Sequence, residues 1–100
     1  MQETSETPIE FVNNVHRQRW EARDAHSVLG YSEYREQPGR VIFTHTKVDP
    51  EHEGRGIGSR LASAAVADAI ARQLRITPIC PFIRSYLERH PEFSASVDPI

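Results

Sequence analysis

The sequence predicts one α/β domain of the α+β type, with a mixed, mostly antiparallel sheet flanked by two helices in the order β-β-β-α-β-α. Three observations predict this class. Three segments rich in β-favouring residues follow one another and are separated by turn signals. A glycine-rich loop then precedes a long run of apolar residues at helical spacing, and a short strand and a second helix follow. The length of 100 residues, 38% of them apolar, suits a single small domain.

The first strand is expected within Ile9–Ala22, where Phe11 and Trp20 are among the β-favouring residues. We expect it to end near Arg23 and to be followed by a hairpin turn at residues 24–25. Before it, the polar residues 1–8 are predicted to be a disordered lead-in, so that the domain spans residues 9–97.

The second and third strands are expected at His26–Glu36 and Val41–Val48. The Pro-Gly pair in Gln37–Arg40 predicts a tight turn between them. The three strands therefore form an antiparallel meander, which ends at the proline of Asp49-Pro50 because proline has no N–H for a sheet.

The second half of the chain predicts two helices around one short strand. Apolar residues recur at helical spacing after the glycines, and Pro81 suits the first turn of a helix. The expected elements are a helix over Ile57–Leu74, a strand over Ile76–Cys80, a helix over Phe82–Arg89 with Phe82 and Tyr86 turned inward, and a strand-like stub at Glu92–Phe93.

The loop before the first helix carries Gly54, Gly56 and Gly58 at alternate positions. Glycines allow backbone amides to crowd together at the start of a helix. The unpaired N–H groups of the first turn and the positive end of the helix dipole favour phosphate there. The loop therefore predicts a site for a phosphorylated ligand.

Two common phosphate loops do not fit this sequence. A Walker A loop needs a Gly-Lys-Ser/Thr run, and no lysine follows Lys47. A dinucleotide loop needs the spacing G-x-G-x-x-G within βαβ units, whereas this chain has G-x-G-x-G after a predicted meander.

The loop resembles the acetyl-CoA pyrophosphate loop of the GNAT N-acetyltransferases, Gln/Arg-x-x-Gly-x-Gly/Ala, with Gly56 and Gly58 at its two glycine positions and Glu53 where Gln or Arg is usual. The resemblance covers roughly Val15 to Phe93. Within the GNAT proteins, the chain resembles the small YjdJ-type subgroup most. The motifs that carry this resemblance are, in order, Thr44-His45-Thr46-Lys47-Val48, the glycine loop, Cys80-Pro81-Phe82-Ile83, Tyr86 and His90-Pro91-Glu92-Phe93.

The resemblance implies transfer of an acetyl group from acetyl-CoA, as cosubstrate, to a small-molecule or peptide amine. The amine would attack directly, in a cleft between the strands at residues 41–48 and 76–80. The residues that it implies for cofactor binding are Thr46, Lys47, Val48, Glu53, Gly54, Arg55, Gly56, Ile57, Gly58 and Ser59.

Three residues are candidates for the chemistry. His45 has the ionisation range of a general base, or is a surface histidine of a strand. Cys80 would act as nucleophile or acid near the acetyl group, or is a small buried residue. Tyr86 would protonate the CoA sulfur, or is a core aromatic with its hydroxyl at the rim. The residues alone leave these alternatives open.

An alternative function is an acetyl-CoA or CoA sensor or carrier with little catalysis, which the acidic Glu53 and the lack of a carboxylate base on the third strand favour. Composition argues against other classes. The net charge is −2 with no basic tract, which argues against nucleic acid, and no apolar run approaches a membrane span. The histidines show no metal-ligand spacing, so no metal is expected, and the single cysteine suits the cytoplasm. We expect a monomer or weak homodimer.

Overall fold

The computed structural model describes residues 8–52 and 54–99, which form a five-stranded sheet with two α-helices. Of the predicted lead-in at residues 1–8, only Pro8 lies within the described residues. The elements are β1 (Glu10–Asn14), β2 (Arg19–Arg23), β3 (Val28–Gln37), β4 (Arg40–Val48), α1 (Ile57–Ala71), β5 (Arg75–Pro78) and α2 (Pro81–Glu88), with short 3-10 helices at Val15–Arg17, Pro50–His52 and Pro91–Ser96.

The predicted fold class is confirmed. The strands lie in the order β1-β2-β3-β4-β5, and each pair is antiparallel except β4 and β5, which are parallel. Helix α1 makes the connection between the two parallel strands, because parallel neighbours need a long crossover.

The prediction of one strand in Ile9–Ala22 was wrong, since this segment forms the hairpin β1–β2. Asn14 begins a single turn of 3-10 helix, its side chain accepting a hydrogen bond from the backbone N–H of Arg17 at 3.2 Å. Gln18 then reverses the chain with a left-handed φ of 54°. The element order is therefore β-β-β-β-α-β-α.

Element ends in the second half also differ from expectation. Helix α1 ends at Ala71 rather than Leu74, because Gln73 adopts a left-handed φ of 60°. Strand β5 ends at Pro78 rather than Cys80, and α2 begins at Pro81 and ends at Glu88. The expected stub at Glu92–Phe93 lies in a 3-10 helix, which Pro91 begins.

The core lies between the sheet and the two helices. Four small residues of α1 (Ala62, Ala65, Val66 and Ala69) allow the helix to pack closely on the sheet. A second, smaller cluster joins the start of α1 to β2 and β3 through Ala22, Leu29, Ile57 and Leu61. The larger cluster also contains Tyr34, Val41, Phe43, Ile76, Cys80, Ile83, Tyr86 and Leu87.

A β-bulge in β4 determines which side chains face this core. Tyr34 pairs with Phe43 but Glu33 pairs with His45, so Thr44 is the extra residue. Because side chains alternate along a strand, the extra residue places Thr46, rather than His45, on the same face as Phe43. Strand β5 pairs with only Arg40–Phe43, and β4 therefore runs on beyond its parallel neighbour.

Several carboxylates are held in their charged form. Glu21 is 1% exposed, and burial alone would raise its pKa. Hydrogen bonds from Arg19, Arg23 and Asn14 outweigh burial and hold the pKa of Glu21 below its ordinary value. The paired hydrogen bonds from Arg72 likewise lower the pKa of Glu36.

We expect the free energy of unfolding to fall as the pH is lowered through the acid range. A carboxylate with a lowered folded pKa contributes stability that is fully present above its unfolded pKa, about 4. That contribution is lost as the pH falls through the lowered folded value of Glu21 or Glu36. Urea unfolding at stepped pH values checks this. Glu21→Gln should make the decline shallower, and an unchanged slope would contradict the role given to Glu21.

Candidate functional site

A cleft of about 510 Å³ opens between the far half of β4, the glycine loop and the start of α2. It brings together residues that are distant in sequence. The lining residues are Thr46, Val48, His52, Gly54, Gly56, Ile57, Gly58, Ser59 and Phe82.

Two of the predicted cofactor residues that the structure describes, Lys47 and Arg55, do not line this cleft. Lys47 points to the opposite face of the sheet, where it lines a depression with Tyr31 and Arg19. Arg55 is exposed and lies 2.9 Å from His52 through its Nη1 atom and the histidine Nδ1. Glu53 lies outside the described residues.

The glycine loop presents backbone rather than side chains to the cleft. Gly54 and Gly56 have φ values of 90° and 75°, and open space surrounds the position of a Cβ atom at both. Gly56 is the N-cap of α1, and in the described residues no side chain hydrogen-bonds to the first-turn N–H groups. These amides and the helix dipole favour an anion at this point.

Gly58 differs from the other two glycines because an aromatic ring lies against it. A Cβ atom on Gly58 would come within 2.7 Å of Cζ of Phe82. The sequence predicted that Phe82 turns inward, but its side chain is 37% exposed and lines the cleft. Phe82 lies in the first turn of α2 and faces Gly58, whose missing side chain leaves room for the ring at the wall of the cleft rather than in the core.

A double-mutant cycle tests the contact between Gly58 and Phe82. Replacing glycine by alanine in a helix stabilises it by up to about 1 kcal/mol. We expect Gly58→Ala to give that gain in stability in a Phe82→Ala background. When Phe82 is present, the gain should be smaller by about 0.5 kcal/mol or more, because the new methyl group meets the ring. Urea unfolding of the four proteins measures the coupling, and additive effects would contradict the packing.

Cys80 lies directly behind the cleft. It is 2% exposed, and its Sγ donates a hydrogen bond to Oγ1 of Thr46 at 3.2 Å. Its backbone N–H donates to the carbonyl of Phe43 at 2.8 Å, at the point where β4 continues beyond β5. Thr46 therefore connects the buried thiol to the lining of the cleft.

Comparison with known proteins decides the family. The sequence profile of the GCN5-related N-acetyl-transferases matches residues 19–97. The chain belongs to this family. Among solved structures, it is similar to the solution NMR structure of a GCN5-like protein from Staphylococcus aureus, with a TM-score of 0.69 and 23% identity over 97% of this chain and 93% of the other. No curated protein sequence matches the chain significantly.

In this chain of the GCN5-related family, the three candidate catalytic residues differ in their position relative to the cleft. Cys80 adjoins the cleft through Thr46. His45 is exposed on the opposite face of the sheet, with its ring centroid 6.2 Å from that of Tyr31. Tyr86 is 6% exposed in the main core cluster, and its ring stacks on that of His90 at 4.0 Å. Of these three, and within the described residues, Cys80 is the one whose side chain hydrogen-bonds to a residue that lines the cleft.

Sequence reasoning missed His52 and Phe82 as residues of this GCN5-related site. His52 lies in a 3-10 turn that the sequence does not mark, and Phe82 has the helical spacing of a core residue. His52 comes to the cleft through the turn that precedes the glycine loop, and Phe82 through the first turn of α2.

One group of potential ligand atoms lies next to the cleft of this GCN5-related protein. In the described part of the chain, side-chain atoms of Asp49, Glu51 and His52 lie within 4.8 Å of one another. The Arg55 guanidinium on His52 already places a positive charge there, so we assign no metal to the group.

No helix in the described residues is long and apolar enough to cross a membrane.

Proposed function

We propose that this protein transfers acetyl from acetyl-CoA to an amine, a small molecule or an amino group of a peptide. The observation that carries the proposal is the cleft itself. It joins the N-terminus of a 15-residue helix, whose N-cap is a glycine, to the part of β4 that extends beyond β5, in a chain of the GCN5-related family.

The cleft offers acetyl-CoA two kinds of contact. The amides at Gly56, Gly58 and Ser59 suit its pyrophosphate, because anions are favoured at a helix N-terminus. The backbone of β4 beyond Phe43 has no strand beside it on the β5 side in the described residues, so it can pair with the amide groups of the pantetheine arm. The acetyl group would then lie near Thr46 and Cys80.

The reaction would be direct attack by the neutral amine on the thioester carbonyl. The C–N bond forms, the C–S bond breaks with its electron pair on the CoA sulfur, and the nitrogen loses a proton. Cys80 is the proposed acid for the departing sulfur, since only one hydroxyl group separates it from the cleft lining. His45 is a proposed base for an amine that approaches from the opposite face, and Tyr86 would need to move from the core to act.

The remaining parts of the proposal rest on the sequence. The ordered motifs from Thr44 to Phe93 support the YjdJ-type subgroup. The free thiol of Cys80 suits the reducing cytoplasm. A monomer or weak homodimer is proposed as the working form.

A CoA-binding sensor or carrier is the second candidate, and the burial of Cys80 and Tyr86 favours it. An acceptor screen separates the two functions. Purified protein is incubated with acetyl-CoA and a panel of primary amines and amino-terminal peptides, and CoA and acetylated product are separated by chromatography. Product that increases with protein concentration supports the enzyme. Saturable binding of acetyl-CoA without product from any acceptor would favour the sensor.

A further inference from the structure

Ser32 is a buried polar residue, at a position where an apolar side chain would cost less free energy to bury. It lies in the middle of β3, is 0% exposed, and pairs in register with Trp20 on one side and Thr46 on the other. Burying a hydroxyl group costs free energy unless it forms a hydrogen bond. The hydrogen-bond partner of Ser32 therefore indicates why a serine is present at this position.

That partner connects Ser32 to the thiol. Oγ of Ser32 lies 2.9 Å from Oγ1 of Thr46, which accepts the hydrogen bond of Cys80 Sγ at 3.2 Å. Either oxygen can donate in the bond between Ser32 and Thr46, and a threonine oxygen has two lone pairs, so it can accept from both Cys80 and Ser32 while its own hydrogen points to the cleft. Three elements, β3, β4 and the start of α2, thus share one chain of hydrogen bonds. Thr46 is the member that lines the cleft.

We infer that Ser32 is a positioning residue, which holds the Thr46 hydroxyl so that the S–H of Cys80 has a fixed orientation beside the cleft. The inference rests on the proposed function for its catalytic meaning. Ser32 itself is fully buried and lies outside the lining of the cleft, so it acts through Thr46.

The hydrogen bond between Cys80 and Thr46 can reverse its direction during the reaction. When the C–S bond of the thioester breaks, the Thr46 hydroxyl, which lines the cleft, gives its proton to the CoA sulfur and takes the proton of Cys80, leaving a thiolate. Thr46 then donates its hydrogen to the thiolate, and Ser32 donates to Thr46. The proton that the amine nitrogen loses returns to Cys80 through water, so atoms and charge balance. Hydrogen bonds to a charged group are stronger than neutral ones, and linked bonds strengthen one another.

The S–H stretching band in the infrared spectrum tests the inference without any ligand. Cys80 is the only cysteine in the sequence, so Cys80→Ala identifies the band by its loss. A thiol that donates a hydrogen bond absorbs at lower frequency than a free one. We expect Ser32→Ala to move the band to higher frequency, and Thr46→Val, which removes the acceptor, to move it at least as far.

Two results would overturn the inference. An unshifted band in folded Ser32→Ala would mean that Ser32 does not orient the thiol. Should that variant not fold, Thr46→Val at the half-buried cleft wall decides, since an unshifted band there would mean that Thr46 is not the acceptor. Near-ultraviolet circular dichroism confirms folding of each variant.

Kinetics provide a second measurement. With an active acceptor, Ser32→Ala should lower kcat by roughly fivefold, the effect of one net hydrogen bond, and leave the affinity for acetyl-CoA unchanged. An unchanged kcat, or a loss of affinity alone, would contradict positioning of the thiol. If the wild-type protein transfers no acetyl group, the proposed function fails, while the infrared result still decides whether Ser32 orients Cys80.

Discussion

Gly56→Val is expected to lose measurable binding of acetyl-CoA. Valine is strained at the left-handed φ of 75° that Gly56 adopts, and its branched side chain would enter the open space where the phosphate is proposed to lie. Losing two charge-assisted hydrogen bonds of about 1.5 kcal/mol each weakens binding roughly a hundredfold. Calorimetric titration of the variant measures the loss.

Gly39→Val is the matched control for this variant. Gly39 has a φ of 76°, also with open space around a Cβ atom, but it lies in the β3–β4 turn away from the cleft. Both variants should lose about 1–3 kcal/mol of stability to backbone strain, and only Gly56→Val should lose the ligand. Equal affinities in the two variants would remove the glycine loop from the binding site.

Cys80→Ala is expected to lower turnover about a hundredfold, the usual contribution of a general acid, with little change in affinity for acetyl-CoA. The thiol is proposed to supply a proton to the CoA sulfur through the Thr46 hydroxyl, and it does not itself line the cleft. Steady-state kinetics with an active amine acceptor, together with calorimetric titration, separate the two quantities.

Cys80→Ser is the control, because a hydroxyl group can keep the hydrogen bond to Thr46 but is a weaker acid than a thiol. We expect its turnover to lie between those of the wild type and Cys80→Ala. Full activity of the alanine variant would reduce Cys80 to a packing residue of the core.

The glycine loop and the helix after it could be predicted from the sequence because their signals are local. Glycines at alternate positions, a preceding strand and a following run of helical periodicity are all visible within residues 41–74. In the structure, Gly54, Gly56 and Gly58 all line the cleft. The β1–β2 hairpin was missed since its turn uses Asn14 and a left-handed Gln18 in place of glycine or proline.

The contacts of the candidate catalytic residues could not be predicted, because they depend on the bulge in β4. The turn pairs Gln37 with Arg40, and unbroken pairing from there would place His45 opposite Ser32. The extra residue Thr44 shifts the register by one, so that Thr46 faces Ser32 and Cys80 instead. A one-residue shift exchanges the faces of a strand, and sequence alternation alone does not reveal it.

The most direct test of the proposed cosubstrate is a calorimetric titration of the purified protein with acetyl-CoA, with free CoA as the comparison. We predict saturable binding of one acetyl-CoA per chain. The absence of both heat and thermal stabilisation at millimolar acetyl-CoA would contradict it, and would leave the protein with the GCN5-related fold but without the cosubstrate.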